Sequence, residues 1–186
     1  MTETPSPRTF LYTLGHSTRP IEETIAILQN YVIGVLLDVR KIPRSPRNPQ
    51  YHGQALEASL RAAGIAYAHW PELGGLRKPA PDSPNHGWKN QAFRGYADYM
   101  LTQPFQEAVE RLVRQARSQT TAILCAEALY KKCHRMLISD ALVVRGVDVI
   151  HLLDLNNVEL HRITSFARVS GTRIAYGNPI QPGLFE

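Results

Sequence analysis

Two cysteines, a glutamate, a histidine and an arginine fall within the eleven residues Cys125-Ala126-Glu127-Ala-Leu-Tyr-Lys-Lys-Cys133-His134-Arg135. These side chains can do chemistry together. Cys133 precedes an apolar helical pattern, and a thiol at a helix start is stabilised as the nucleophilic thiolate. His134 and Arg135 add donors and positive charge, and Arg135 with the first-turn N–H groups makes an anion site. Glu127 can serve as a general base or orient one. The alternative is structural, with one or both cysteines packed as small apolar side chains. The separation of eight between Cys125 and Cys133 is not the tight pairing of common zinc sites, so no metal is assigned.

Two further clusters share this form. Gly15-His16-Ser17 follows the β-rich run TFLYTL, and Asp38-Val39-Arg40 ends the apolar run VIGVLLDV. His16 with Ser17 reads either as an acid–base pair or as part of a helix cap. Asp38 reads as a base and Arg40 as an anion ligand, or the two as an ion pair holding a loop. Arg40, Lys41, Arg44 and Arg47 then crowd a loop broken by Pro43, Pro46 and Pro49.

The elements around these clusters decide whether they meet. The spacing predicts a strand over 9–14, a helix with Ile21, Ile25 and Leu28 on one face, and a buried strand over 32–39. A helix carrying Leu56 and Leu60, stopped by Gly64, and a strand over 65–69 follow. Residues 71–90 lack periodicity and form either a binding loop or an insertion. Two helical patterns come next, one through Phe93, Tyr96, Ala97 and Met100, the other through Phe105, Val109, Leu112, Val113 and Ala116. A strand over 120–125, a helix over 134–145 stopped by Gly146, and a strand over 147–153 complete the alternation. A short helix is predicted near 156–161, and a polar tail from Gly171.

Strands alternating with helices imply a single three-layer α/β domain with a mainly parallel sheet, here over 9–170, after a frayed lead-in over 1–8. Right-handed crossovers put the C-terminal ends of parallel strands along one edge, where ligands bind. The His16, Asp38 and Cys125 clusters each end a predicted strand, so all three are expected on that edge.

The chain has 186 residues, 44% hydrophobic and 20% charged, as a folded domain requires. No run reaches the roughly 20 apolar residues of a membrane span, and the first residues lack a secretory apolar core, which points to the cytoplasm. Two cysteines are too few for a disulfide scaffold. A net charge of +5 favours anionic partners, nucleic acid or phosphorylated small molecules.

The ordered set TLGHS, LLDVRKIPRSP, Leu73-Gly74-Gly75, GYADYM, and ILCAE with CHR resembles the bacterial family known as domain of unknown function 488, over roughly residues 10–153. The resemblance implies site positions at His16, Ser17, Asp38, Arg40, Pro43, Ser45, Cys125, Glu127, Cys133, His134 and Arg135, and no particular reaction. LLDVR also resembles the strand end of rhodanese-like sulfurtransferases. Their catalytic cysteine opens a short anion-cradling loop, whereas Cys125 here opens a longer one. The tail segment Gln181-Pro-Gly-Leu184-Phe185 resembles the peptide by which bacterial replication and repair proteins dock on the sliding clamp, with Gln181, Leu184 and Phe185 as its contacts.

These observations lead to an expected enzyme acting on nucleic acid or a nucleotide, with no cofactor assigned. Glu127, Asp38, His16 and Cys133 are its candidate catalytic groups. Arg40, Arg44, Ser17, His134, Arg135 and Cys125 are its candidate substrate contacts. The alternatives are a rhodanese-like thiol enzyme using Cys133 or Cys125, and a non-catalytic module binding DNA or a partner.

Overall fold

The computed structural model describes residues 8–177. The clamp-like segment with Gln181, Leu184 and Phe185 lies outside the described residues. Five strands run parallel: β1 (Thr9–Gly15), β2 (Val35–Asp38), β3 (Ala66–His69), β4 (Thr121–Cys125) and β5 (Val147–Leu152). A sixth, β6 (Val158–Leu160), pairs antiparallel with β5, giving the order β3-β2-β4-β1-β5-β6. The expected α/β class is therefore present, with helices on both faces.

Side-chain alternation sorts the core. Leu14, Leu36, Ala122 and Leu124 face α1 (Ile21–Asn30) and α2 (Gly53–Ala62), which bury Ile27, Leu28, Leu56 and Leu60 against them. Leu11, Leu37, Val39 and Ile123 face the opposite layer, α3 (Gln91–Met100), α4 (Gln103–Ser118) and α5 (Arg135–Val143). In α4 the buried positions are Phe105, Ala108, Val109, Leu112, Val113 and Ala116, a stripe at helical period. α5 buries an unbroken run from Leu137 to Leu142, as a helix enclosed on all sides must.

Four local expectations are corrected. β2 begins at Val35, because Val32 sits exposed in a left-handed turn at φ 51°. Ser17 does not cap α1, which follows Pro20 with no side-chain cap. The segment 156–161 is not helical. The Asp154 carboxylate accepts from the N–H groups of Asn156 and Asn157 at 2.8 and 2.9 Å, and this turn folds Val158–Leu160 back onto β5. Residues 171–177, expected as the start of a polar tail, form part of the fold. They return β7 (Ala167–Ser170) as β8 (Arg173–Tyr176), whose Ile174 and Tyr176 join the core. Only Ile174, Ala175 and Tyr176 are buried there, a run too short to stand out as a strand in the sequence.

The aperiodic stretch 71–90 has no regular structure beyond a 3-10 turn at Pro71–Leu73. Asp98 of α3 gathers it, accepting from Ala80 N–H, Ser83 Oγ and Asn85 Nδ2 at 2.9, 2.6 and 2.7 Å. Among the described residues, no helix is long and apolar enough to cross a membrane.

Candidate active site

The three clusters meet. β1 pairs with β4 so that Gly15 lies beside Cys125, and β2 pairs with β4 so that Asp38 lies beside Leu124. Beyond the strands, His16 N–H donates to Cys125 C=O, Ser17 N–H to Ala126 C=O and Val39 N–H to Leu124 C=O, at 2.9–3.0 Å. Gly15 is required at this crossing. A Cβ there would stand 2.0 Å from Glu127 O and 2.7 Å from Ala128 O, both backbone atoms that cannot swing aside.

Alternation then divides the clusters between the two faces. His16 and Asp38 share the side of Leu14 and Leu36, under α1 and α2, where they form a closed polar knot. Arg40 binds the Asp38 carboxylate through Nε at 2.8 Å and Nη2 at 2.5 Å, and Nη2 also donates to Tyr51 C=O at 2.9 Å. Tyr67 donates its hydroxyl to Asp38 at 2.9 Å. Burial, reinforced by that carboxylate, raises the Tyr67 pKa. His16 lies flat on Tyr51 at 3.9 Å between centroids. Its Nδ1 donates to Ser17 C=O at 2.8 Å, so Nε2 is the acceptor facing Arg40 Nη1 at 3.3 Å. Burial lowers its pKa to about 4, and the ring is neutral at pH 7. Asp38, Arg40 and His16 are all buried, and this edge of the sheet is held by them.

Cys125 is one residue out of phase and faces the other side. There the chain after β4 forms a 3-10 turn at Tyr130–Lys132 and enters α5 through Cys133 and His134. This path returns Cys133 to Cys125 across eight residues. His134 Nε2 donates to Val39 C=O at 3.1 Å, which leaves Nδ1 unprotonated and facing both sulfurs, 3.6 Å from Cys133 Sγ and 4.0 Å from Cys125 Sγ. Burial would raise both thiols. The pair instead holds its proton unequally. The hydrogen bond to Cys133, with burial, pushes Cys125 well above the ordinary thiol value. Cys133 falls well below it, because that bond, His134 and Arg135 outweigh its own burial. These directions make Cys133 the more acidic thiol of the two.

Arg135 is fully buried. Nη2 donates to the carbonyls of Glu127 and Ala128, and Nε to Cys133 Sγ at 3.4 Å. It holds the 127–128 loop and stabilises the sulfur, rather than presenting charge to solvent. Glu127 itself is exposed, as is Arg44, and Ser17 is half-buried with a left-handed backbone at φ 48°.

A cleft of about 320 Å³ opens above the sulfurs. Cys125, Cys133 and His134 line it, with Glu127, Lys132, Leu76 and Phe93 also around it. The Leu73-Gly74-Gly75 turn forms one wall, where a Cβ on Gly75 would meet His134 Nδ1 at 3.0 Å. Phe93 and Tyr96, which helical spacing assigns to the core, belong to this cleft as well. The signal for this was the glycine pair, which marks a close approach. A wider groove of about 720 Å³ lies between Trp88, Tyr130 and Arg162, but it gathers no such reactive cluster. The smaller cleft is the candidate site.

Sequence reasoning passed over a second buried network. Asp140 of α5 accepts from His161 Nε2, Thr164 N–H, Thr164 Oγ1 and Tyr176 OH at 2.7–2.9 Å. His161 Nδ1 accepts from His151 Nε2 at 3.0 Å, and His151 Nδ1 from Thr13 Oγ1 at 2.7 Å. Tyr130 stacks on His151. Burial, then the neighbouring His161, lower the His151 pKa to about 2. This network ties β1, β5, α5 and β8 together. Histidine at single positions in apolar strands carried no periodic signal for it.

Fold and site together define an α/β protein with a six-stranded, mainly parallel sheet and a thiol–imidazole cleft at its C-terminal strand edge. The chain belongs to the family described as domain of unknown function DUF488, whose model matches residues 20–142. Neither curated proteins nor solved structures give a significant match.

Proposed function

We propose that this protein is a hydrolase acting on a nucleotide or nucleic acid, with its reaction centre in the Cys125–Cys133–His134 cleft. The observation that supports this best is the pairing of a reactive floor with an exposed carboxylate, Glu127, and a cation, Lys132, around the same cleft. Glu127 takes the proton of the attacking water. Lys41 belongs to the cleft's surroundings, since its backbone packs against Gly74, and Arg44 and Arg47 extend exposed positive charge along the same loop. Arg40 and Arg135 act here as positioning residues, because both are buried in internal hydrogen bonds. Docking on the sliding clamp through Gln181, Leu184 and Phe185 would bring such an enzyme to DNA.

Incubation with nucleotides and with single- and double-stranded oligonucleotides, followed by chromatography, tests this reading. Turnover is expected, lost about 10²–10⁴-fold in Glu127→Gln. Absence of both turnover and binding at about 50 mM salt would overturn it.

A second reading rests on the lowered pKa of Cys133, a thiol nucleophile with His134 beside it. It predicts rapid alkylation of Cys133 below pH 8, and loss of activity in Cys133→Ser.

A further inference from the structure

We propose that Cys125, Cys133 and His134 are three protein ligands of a zinc-class divalent cation whose fourth position opens into the cleft. Their Sγ, Sγ and Nδ1 atoms lie within 4.8 Å of one another, a gathering of three such side chains found nowhere else among the described residues.

The distances fit the ion. Tetrahedral zinc with bonds of about 2.3 Å to sulfur and about 2.0–2.1 Å to nitrogen sets sulfur and nitrogen about 3.6 Å apart. The two distances here are 3.6 and 4.0 Å. The donor set fits as well. Two cysteines and one histidine with an open position is a known catalytic arrangement for zinc, whereas a purely structural site closes with a fourth protein ligand.

The surroundings of the ligands match what a bound metal needs. A ligating histidine donates its other ring N–H to a backbone carbonyl or carboxylate, which fixes the ring and its tautomer. His134 does so to Val39 C=O, and its lone pair is thereby aimed at the sulfurs. The Cys133 sulfur also receives an N–H group, from Arg135 Nε at 3.4 Å. Two thiolates beside a dication need such donors to spread their charge. Gly75 leaves the Nδ1 edge of His134 uncovered, where a Cβ would crowd it at 3.0 Å.

The spacing of eight in the sequence conceals this site, since zinc pairs are usually sought at two to four. Here the fold brings the cysteines together by way of the β4 end, the 3-10 turn and the α5 start. For its role the metal site rests on the hydrolytic reading. A bound zinc lowers the pKa of its water to about 7, and Glu127 borders the same cleft.

The test uses full-length protein, kept reduced, with zinc content measured by elemental analysis and cobalt(II) added as a spectroscopic probe. One equivalent per chain is expected, with thiolate-to-cobalt charge-transfer bands and the intense visible bands of tetrahedral cobalt. Cys125→Ser, Cys133→Ser and His134→Gln should each weaken binding at least tenfold, while Glu127→Gln keeps full stoichiometry. Zinc should also slow alkylation of both wild-type cysteines at least tenfold, a measurement that stands even if the ligand variants fail to fold. Stoichiometry far below one, alkylation rates unmoved by zinc, or an unchanged cobalt spectrum in the double serine variant would overturn the site. Metal bound at one equivalent without nucleotide turnover sinks the hydrolytic reading and keeps the metal site. Turnover by protein that binds no metal does the reverse.

Discussion

The two sides of the sheet edge start from similar material and end differently. Under α1 and α2, Asp38, Arg40 and His16 satisfy one another, with Tyr51 and Tyr67 closing the remaining gaps. Under α3 and α5, Cys125, Cys133 and His134 converge on a cleft, and only His134 Nε2 is spent on the backbone. Both clusters end parallel strands, where a binding site is expected. The difference is that one has its polar atoms saturated internally and the other keeps an imidazole lone pair and two sulfurs lining a cleft. Location on the edge selects candidates, and leftover bonding capacity selects among them.

The contrast can be broken most strongly at Asp38. Asp38→Ala leaves Arg40 buried without its partner, and a loss of about 3–5 kcal/mol is expected in urea unfolding. A loss under about 1 kcal/mol would show that the knot is not the structural half of the pair. The matching change in the cleft is Glu127→Gln. It should cost about 10²–10⁴ in turnover and less than about 0.5 kcal/mol of stability, as an exposed side chain should. A smaller effect is expected at the seam between the halves. Gly15→Ala forces the Glu127–Ala128 backbone away, costing about 1–3 kcal/mol and lowering activity together. Full activity in that variant would mean that the loop position is immaterial.

The smallest expected effect concerns the Asp140 network. His151 has a pKa of about 2 in the folded protein against 6.5 in an unfolded chain. The unfolded state therefore takes up a proton that the folded state refuses between those values. The His151 contribution is complete above pH 6.5 and falls by up to about 1.4 kcal/mol per pH unit below it, beside a like fall from His16, whose pKa is also lowered, to about 4. Urea midpoints at pH 7, 6 and 5 measure the slope, which His151→Gln should reduce. An unchanged slope would place the acid sensitivity elsewhere.

Much of the architecture was legible in the chain. The apolar runs of β2 and β4, the helical stripe of α4 and the polar residues at three strand ends have short-range periods that burial imposes directly. β6 and β8 were not legible, since strands of three and four residues leave too little pattern. The candidate site was legible as a set of residues but not as an arrangement. Arg135 read as a free anion ligand, and the 127–128 carbonyls make it an internal tie, whereas for Arg40 the ion pair with Asp38 was one of two readings and is the one that forms.

The sequence by itself determined the α/β alternation, the edge where chemistry gathers and the residue types available there. Only the tertiary structure decided which of them meet. Strand parity put Asp38 and Cys125 on opposite faces, and the turn before α5 closed an eight-residue gap to bring two sulfurs and one imidazole within 4.8 Å. Both outcomes depend on packing between segments far apart in the chain, which no local spacing encodes.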